Sequence, residues 1–406
     1  SALKGRRIVV CDPADRARVI KWLEAGRPGE DDFVNALCAK AEGVVADYCL
    51  ASARFHSDGK IDGMVGGLAL PCCYGENPSW TAEFFAVDNH PLSPKNFKQV
   101  GGKYPSFING TDLMNAAWTL VQIVAGWRRN FSQTPMVAVA VKHGNACGVG
   151  VCNNIPEEAI VRMIESDKEA IHGACVVVNF PLNRELATIL RSHGMPVSAD
   201  GNPGKRLIDV VAAPEFSEDA GEVMERRGGK CRMYVNPALP EISPASLPRI
   251  IYRPVPWGGF FREEGDPFIL DLNDPRMEMM GGELTLPERE DLVISWAVGS
   301  TSVSNTITLV KDRTLIANAV GQQSRVRAAK LALEIAKDGG HSVEGAMAYS
   351  DSFFPFPDGA DRLASAGIGG IFASSGSVND QMVLKALEGF PGLRFWRLPD
   401  KICRGF

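Results

Sequence analysis

A valine-rich run at residues 136–141, Met-Val-Ala-Val-Ala-Val, ends without a break on Lys142-His143-Gly144. An uninterrupted apolar stretch of this length suits a strand buried on both faces, which predicts a parallel strand of an α/β sheet. In open α/β sheets ligands bind beyond the carboxyl ends of such strands. The adjacent lysine and histidine fall at that end. An imidazole exchanges a proton near neutral pH, and an ammonium group stabilises negative charge beside it. As a bare dipeptide the pair equally suits a loop with a solvated lysine and a hydrogen-bonded histidine.

The chain has 406 residues, enough for two or three domains or one composite unit. A composition of 45% hydrophobic and 22% charged residues is that of a soluble globular protein. No apolar run approaches the roughly 18 residues of a membrane span. The basic start, Ser-Ala-Leu-Lys-Gly-Arg-Arg, leads into too short an apolar segment for a signal peptide. A net charge of −5 argues against nucleic acid as a partner, although it leaves room for a local anion pocket. The ten cysteines form no Cys-x-x-Cys pair, and no His-x-His or His-Glu-x-x-His occurs, which argues against structural zinc. Cysteines scattered through apolar segments predict reduced thiols and a cytoplasmic location.

Helices are predicted over 31–56, 112–128, 156–166 and 186–193, and strands over 136–141, 174–180 and 207–213. Residues 233–290 are rich in proline, glycine and charge and read as a linker region. An α/β rhythm resumes beyond it: 292–298 is apolar, 306–310 is β-rich and 324–336 is helical. The expected organisation is an extension over 1–30, a first α/β half over 31–232, the linker region, and a second half over 291–406. No internal repeat is evident.

Three further segments suit ligand contact. Gly-Gln-Gln-Ser-Arg at 321–325 marks a strand-to-helix turn, which exposes backbone N–H groups to an anion or heterocycle or is simply capped by Ser324. Ser-Asp-Ser-Phe-Phe-Pro-Phe-Pro-Asp at 350–358 combines three aromatics with two carboxylates in a proline-stiffened loop, which fits a flat, amine-bearing ring or a loop plugged into the core. Ser374-Ser375-Gly376-Ser377 reads as a turn into a helix.

With these motifs, and with Tyr74-Gly75-Glu76-Asn77-Pro78, Phe107-Ile108-Asn109 and Asn183-Arg184-Glu185 in the same order, the chain resembles the AICAR transformylase domain of the bifunctional purine-biosynthesis protein. The resemblance covers about residues 30–398. It implies an α/β fold of two cytidine-deaminase-like three-layer αβα units in a composite transformylase domain, in a stand-alone form without the IMP cyclohydrolase domain. The implied reaction moves a formyl group from N10-formyltetrahydrofolate to the 5-amino group of AICAR, giving FAICAR. Implied roles fall on His143 as proton acceptor, Lys142 at the oxyanion or leaving nitrogen, and Asn305 beside the reacting centre. Tyr74, Asn109, Asp209, Gln323, Arg325, Phe353, Pro355, Phe356, Asp358 and Arg394 match substrate- and folate-binding positions, Asp209 at the ribose and Arg394 at the phosphate. Ser302, Ser304, Thr306 and Asp351 lie near positions that hold a potassium ion. A homodimer and a separate IMP cyclohydrolase are the implied partners.

The chain departs from the family pattern at three places. Cys73 stands where an arginine usually meets the nucleotide phosphate, a loss of about 1.5–3 kcal/mol unless another cation replaces it. Lys103, Arg253 and Arg397 are the candidate replacements. Val176-Val177-Val178 replaces a Phe-Gly-Gly, and Trp396-Arg397-Leu398 replaces a histidine-rich C-terminus. These departures leave two alternatives open: formyl transfer to another amine, or a non-catalytic protein that binds nucleotide or folate.

Overall fold

The computed structural model describes residues 8–87, 90–198, 201 and 203–403. The basic segment 1–7 and the tail 404–406 lie outside the described residues. The chain opens with α1 (Arg16–Glu24) and the long α2 (Glu30–His56), then a ribbon of β1 (Gly67–Pro71) and β2 (Glu83–Ala86), then β3 (Lys98–Gly101). A first unit follows: α3 (Phe107–Phe131), β4 (Met136–Lys142), β5 (Asn145–Cys152), α4 (Pro156–Ser166), β6 (Ala174–Val178), α5 (Arg184–Ser192), β7 (Ile208–Ala213), α6 (Glu218–Met224) and β8 (Arg232–Val235). Between the units lie the antiparallel pair β9 (Ile250–Val255) and β10 (Gly259–Glu264), and β11 (Glu278–Met280). The second unit runs α7 (Leu286–Gly299), β12 (Ile307–Lys311), β13 (Thr314–Ala319), α8 (Arg325–Asp338), β14 (Met347–Ser350), α9 (Pro357–Ser365), β15 (Gly370–Ser375), α10 (Asp380–Leu387) and β16 (Arg394–Pro399). The short α11 (Asp400–Cys403) ends the described chain.

The two units have the same order of elements and build one mixed sheet of 12 strands. Within it the strand orders β5-β4-β6-β7-β8 and β13-β12-β14-β15-β16 are equivalent. The units meet where β5 and β13 run antiparallel, with Thr314 opposite Gly150. Because the equivalent strands point in opposite directions, an approximate two-fold axis normal to the sheet relates the units. It sends the tip of the first hairpin to one edge of the sheet and the tip of the second to the other.

Three layers result. Helices α3 and α7 cover one face over a core that both units share, including Leu120, Trp127, Val139, Val293, Trp296 and Tyr349. The two helices approach closely: a Cβ added at Gly126 would lie 2.7 Å from the Trp296 ring, and the hydroxyls of Thr119 and Thr301 meet at 2.8 Å. On the opposite face, separate cores lie under α4–α6 and α8–α10. The run 292–298 belongs to α7, apolar all round because it is buried between α3 and the sheet. Residues 233–290 contribute the edge strand β11, and they bury Leu239, Ile242, Leu247, Leu270 and Leu272 in the shared core. All ten cysteines are free thiols, and no helix among the described residues is long and apolar enough to cross a membrane.

Strand β4 is antiparallel to both β5 and β6, which corrects the expected parallel pairing. Its apolar continuity reports burial on both faces, which helices supply on either side of the sheet. Strand direction leaves no mark on that pattern. Parallel pairs occur at β6-β7-β8 and β14-β15-β16.

Each unit's hairpin closes on two residues with positive φ: His143 (54°) and Gly144 (80°), then Asp312 (52°) and Arg313 (60°). This is the type I′ turn, whose twist matches the flanking strands. Three of the four residues are not glycine, and each such backbone costs about 1–3 kcal/mol. A buried carboxylate offsets that cost in both units. Helices α3 and α7 start with capping boxes, Ser106 with Asn109 and Thr285 with Glu288, and carry Asp112 and Asp291 one turn further on. Asp291 accepts the backbone N–H groups of Asp312 at 2.9 Å and of Arg313 at 2.6 Å. Asp112 accepts the Gly144 N–H at 2.7 Å and also interacts with the His143 backbone N–H.

Burial pushes the Asp291 carboxyl up to about 7, against the two N–H bonds that favour its charged form. Between pH 4 and pH 7, roughly, the native state therefore holds a proton that the unfolded chain has released. The contribution to stability is complete below the unfolded value and is lost as pH rises through about 7. The expected result is an unfolding free energy that falls over this window more steeply in the wild type than in Asp291→Asn, by up to about 1.4 kcal/mol per pH unit. Urea titrations at several pH values measure it, and parallel slopes would contradict it.

Candidate active site

Lys142 ends β4 and His143 begins the turn, so both project at the sheet edge to which the first hairpin points. The Lys142 Nζ donates to the His172 carbonyl at 3.0 Å, in the loop entering β6. The His143 side chain is exposed. Beside them lies a cavity of about 290 Å³ between the two units. It is lined by Lys142, His143, Asn145, Asp167 and Cys147 from the first unit and by Asn318 from the second, among others. Asn145 ties the hairpin to the second unit: its amide nitrogen donates to the His143 carbonyl, and its oxygen accepts the Val303 N–H at 3.2 Å. Burial pushes the Cys147 thiol up to about 12, so it stays a packed, protonated neighbour rather than a nucleophile.

The predicted residues fall into several places. Tyr74 and Asn109 lie at the N-terminal end of α3, near the hairpin tip. The Tyr74 carbonyl accepts the Phe107 N–H, and the Asn109 oxygen accepts from the Ser106 N–H and hydroxyl. Asp209 opens onto the same sheet edge two strands from β4, about 10 Å across the sheet. Arg226 donates to its carboxylate at 2.5 Å.

On the other side of the tip, Asn305 precedes β12 and is held by Gln322, with its amide on the Gln322 carbonyl at 2.6 Å. Gln323 is exposed beside it. Phe353, Pro355, Phe356 and Asp358 follow β14 on the same edge, four strands and about 19 Å from β4. In that loop Phe354 plugs the core, whereas Phe356 is exposed. The Gly376 and Ser377 N–H groups are taken up by Asp380, the first residue of α10.

Arg325 and Asp351 form a buried ion pair. The Arg325 Nε and the second Asp351 oxygen have no hydrogen-bond partner among the described residues. Thr306 donates its hydroxyl to the Val303 carbonyl, and Ser302 donates to the Val298 carbonyl while accepting from Asn318. A monovalent cation here would need oxygens with free lone pairs and an uncompensated negative charge. Of the set Ser302, Ser304, Thr306 and Asp351, Asp351 is paired with Arg325 through one oxygen and keeps the other without a hydrogen-bond partner among the described residues, while the Thr306 hydroxyl only donates and Ser302 both donates and accepts.

Arg394 lies elsewhere. It starts β16, opposite Gly370, at the edge away from the 350–358 loop and the His143 tip, and its guanidinium pairs with Glu288 at 2.8 Å. It does not join the His143 site within one chain. Of the candidate replacements for the missing phosphate arginine, Arg253 pairs with Glu263 on the β9-β10 ribbon, and Arg397 pairs with Glu278 and Asp380. Lys103 adjoins Tyr104, whose carbonyl accepts from the Cys73 thiol at 3.3 Å. Val176, Val177 and Val178 are fully buried inside β6.

Three residues of this edge escape sequence reading. Asp112 sits in an apolar helix, where a lone aspartate reads as solvent-facing. His172 acts through its carbonyl, which no side-chain motif reveals. Arg232 is 5% exposed, donates to the Lys230 carbonyl and has no carboxylate partner among the described residues. It stands in one row with Val141, Cys175 and Val210.

Removing one member of the Arg325–Asp351 pair leaves a buried charge without a partner. Asp351→Ala is expected to destabilise the fold by about 3–5 kcal/mol. Chemical denaturation measures this, and a loss below about 1 kcal/mol, typical of exposed pairs, would place the pair in solvent.

The AICARFT/IMPCHase bienzyme family matches residues 5–335. Among curated relatives, the bifunctional purine biosynthesis protein PurH of Staphylococcus carnosus is 30% identical over 376 residues, covering 92% of this chain and 66% of the relative. PurH of Streptococcus pneumoniae is 30% identical, covering 96% of this chain and 72% of the relative. PurH of Bacillus cytotoxicus is 28% identical, with 96% and 71% covered. The chain thus spans between 66% and 72% of the length of these relatives. It belongs to the AICARFT/IMPCHase bienzyme family.

Proposed function

We propose that this member of the AICARFT/IMPCHase family acts in purine biosynthesis by transferring a formyl group from N10-formyltetrahydrofolate to the 5-amino group of AICAR. The observation that carries the reading is the Lys142-His143 tip, held beside a cavity to which both units contribute. The acceptor amine is conjugated to its ring and is a weak nucleophile, so alignment and a proton acceptor matter most.

In the reaction the amine nitrogen attacks the formyl carbon and a tetrahedral oxyanion forms. The C–N10 bond then breaks, and one proton passes from the amine to N10. The exposed His143 imidazole is the acceptor for that proton. Lys142, anchored on the His172 carbonyl, presents its charge to the oxyanion. Asn305, fixed by Gln322, and Asp209 present polar groups on either side of the tip, toward the heterocycle and the ribose. The aromatic loop at 353–356 offers flat surface for the folate.

The placement of Arg394 away from His143 favours a homodimer in which a second chain completes the phosphate contacts. Apolar residues left exposed on α2 (Val44, Val45, Tyr48, Phe55) and on the β9-β10 ribbon (Trp257, Phe261) suit such an interface. Cys73 favours a second reading, in which the same transfer serves a different amine.

The test is formyl transfer from N10-formyltetrahydrofolate to AICAR, followed by folate absorbance, on protein whose mass in solution is measured by sedimentation. The expected result is a dimer that turns over, with His143→Ala slower by roughly 10²–10⁴. A folded dimer without turnover would reject AICAR as acceptor, and a wild-type rate in His143→Ala would reject His143 as base.

A further inference from the structure

We infer that Asp112 is a positioning residue for His143, and that the protein carries a second, chemically silent copy of the same device at Asp291. The inference about catalysis rests on the proposed role of His143; the inference about geometry does not. His143 occupies a left-handed backbone conformation at φ 54°, one that L side chains rarely adopt and that asparagine or glycine fills more readily. Such an outlier persists only where surrounding structure over-determines it.

The surroundings here are the Asn145 amide on the His143 carbonyl and one buried carboxylate. Asp112 is 7% exposed, and its Oδ1 accepts the Gly144 N–H at 2.7 Å. It also interacts with the His143 backbone N–H, and its charge acts on His143 through space. The turn's direction, and with it the direction of the His143 Cα–Cβ bond, is thus set from within helix α3.

The second unit separates folding from chemistry. Asp291 holds Asp312 and Arg313 in the same turn, from the same position of α7, behind the same kind of capping box. Lys311 even repeats the Lys142 contact, donating to the Glu344 carbonyl at 2.7 Å in the loop before β14. Yet an aspartate stands where the first unit has histidine, and the tip points to the opposite sheet edge. A carboxylate clamp is therefore a shared folding element, and only in the first unit does it also aim an imidazole. Losing Asp291 reports the structural cost of the clamp alone; losing Asp112 reports that cost together with any loss of aim.

The experiment compares Asp112→Asn with Asp291→Asn in full-length protein. One readout is the ring signal of His143 in carbon-labelled-histidine NMR spectra, identified by its disappearance in His143→Ala. The other is the steady-state kinetics of formyl transfer. In Asp112→Asn the His143 ring signal is expected to move or split. The kcat should fall by about a hundredfold while KM changes little. Asp291→Asn should leave both readouts at wild-type values. Should Asp112→Asn fail to fold, Asp112→Ser, which keeps one short acceptor, takes its place.

An unmoved ring signal with wild-type kcat in the Asp112 variant would overturn the inference, as would equal effects from the two aspartates. If the wild type transfers no formyl group, the proposed reaction fails by itself. The ring signal then still decides whether Asp112 aims His143.

Discussion

The arrangement of this protein depends on a buried carboxylate that accepts the backbone N–H groups of a two-residue turn. A hairpin tip normally satisfies its amides with water and its twist with glycine or asparagine. Here helix and hairpin are joined by Asp112 in one unit and Asp291 in the other. The bond fixes where each helix lies over its strands and lets residues with side chains occupy the left-handed positions. Burial makes the carboxylate costly and the bonds to it strong, so the turn has little freedom to relax.

From that junction the rest of the layout follows. Two α-β-β-α-β-α-β-α-β units, each started by a capped helix with its clamp aspartate, pair through β5 and β13 into one sheet. The approximate two-fold axis leaves one hairpin tip at each edge. The edge bearing His143 also collects Asp209, Asn305, Gln323, Arg325 and the aromatic loop. The opposite edge collects Arg394, Glu288 and the Asp312–Arg313 turn. A duplicated scaffold thus carries candidate chemistry on one edge only, and what distinguishes the edges is side chains rather than backbone.

Much of this was legible in sequence. Helices α2, α3, α4 and α5 and strands β4, β6 and β7 were signalled by periodicity or by apolar runs, and the Lys142-His143 pair by its place at the end of one. Strand direction was not, because burial on both faces looks the same for parallel and antiparallel neighbours. The repeat was hidden because the units share the spacing from cap to clamp to turn, not residue identities: Ser106, Asn109 and Asp112 answer to Thr285, Glu288 and Asp291. His143-Gly144 and Asp312-Arg313 lack the Asn-Gly signature of their turn, since a carboxylate distant in sequence does the work that glycine otherwise does. Arg325 and Asp351 were visible as polar residues of two motifs that suit ligand contact, but their pairing with each other required three dimensions.

The most direct test of the clamp is amide hydrogen exchange at the two tips. A free two-residue turn at a sheet edge exchanges within the range of fraying segments, whereas bonded interior amides open only with larger unfolding. The amides of Gly144, Asp312 and Arg313 are predicted to be protected to the level of the strands they join. Fast exchange at these amides, with the neighbouring β4 and β12 amides protected, would contradict the carboxylate clamp and the account built on it.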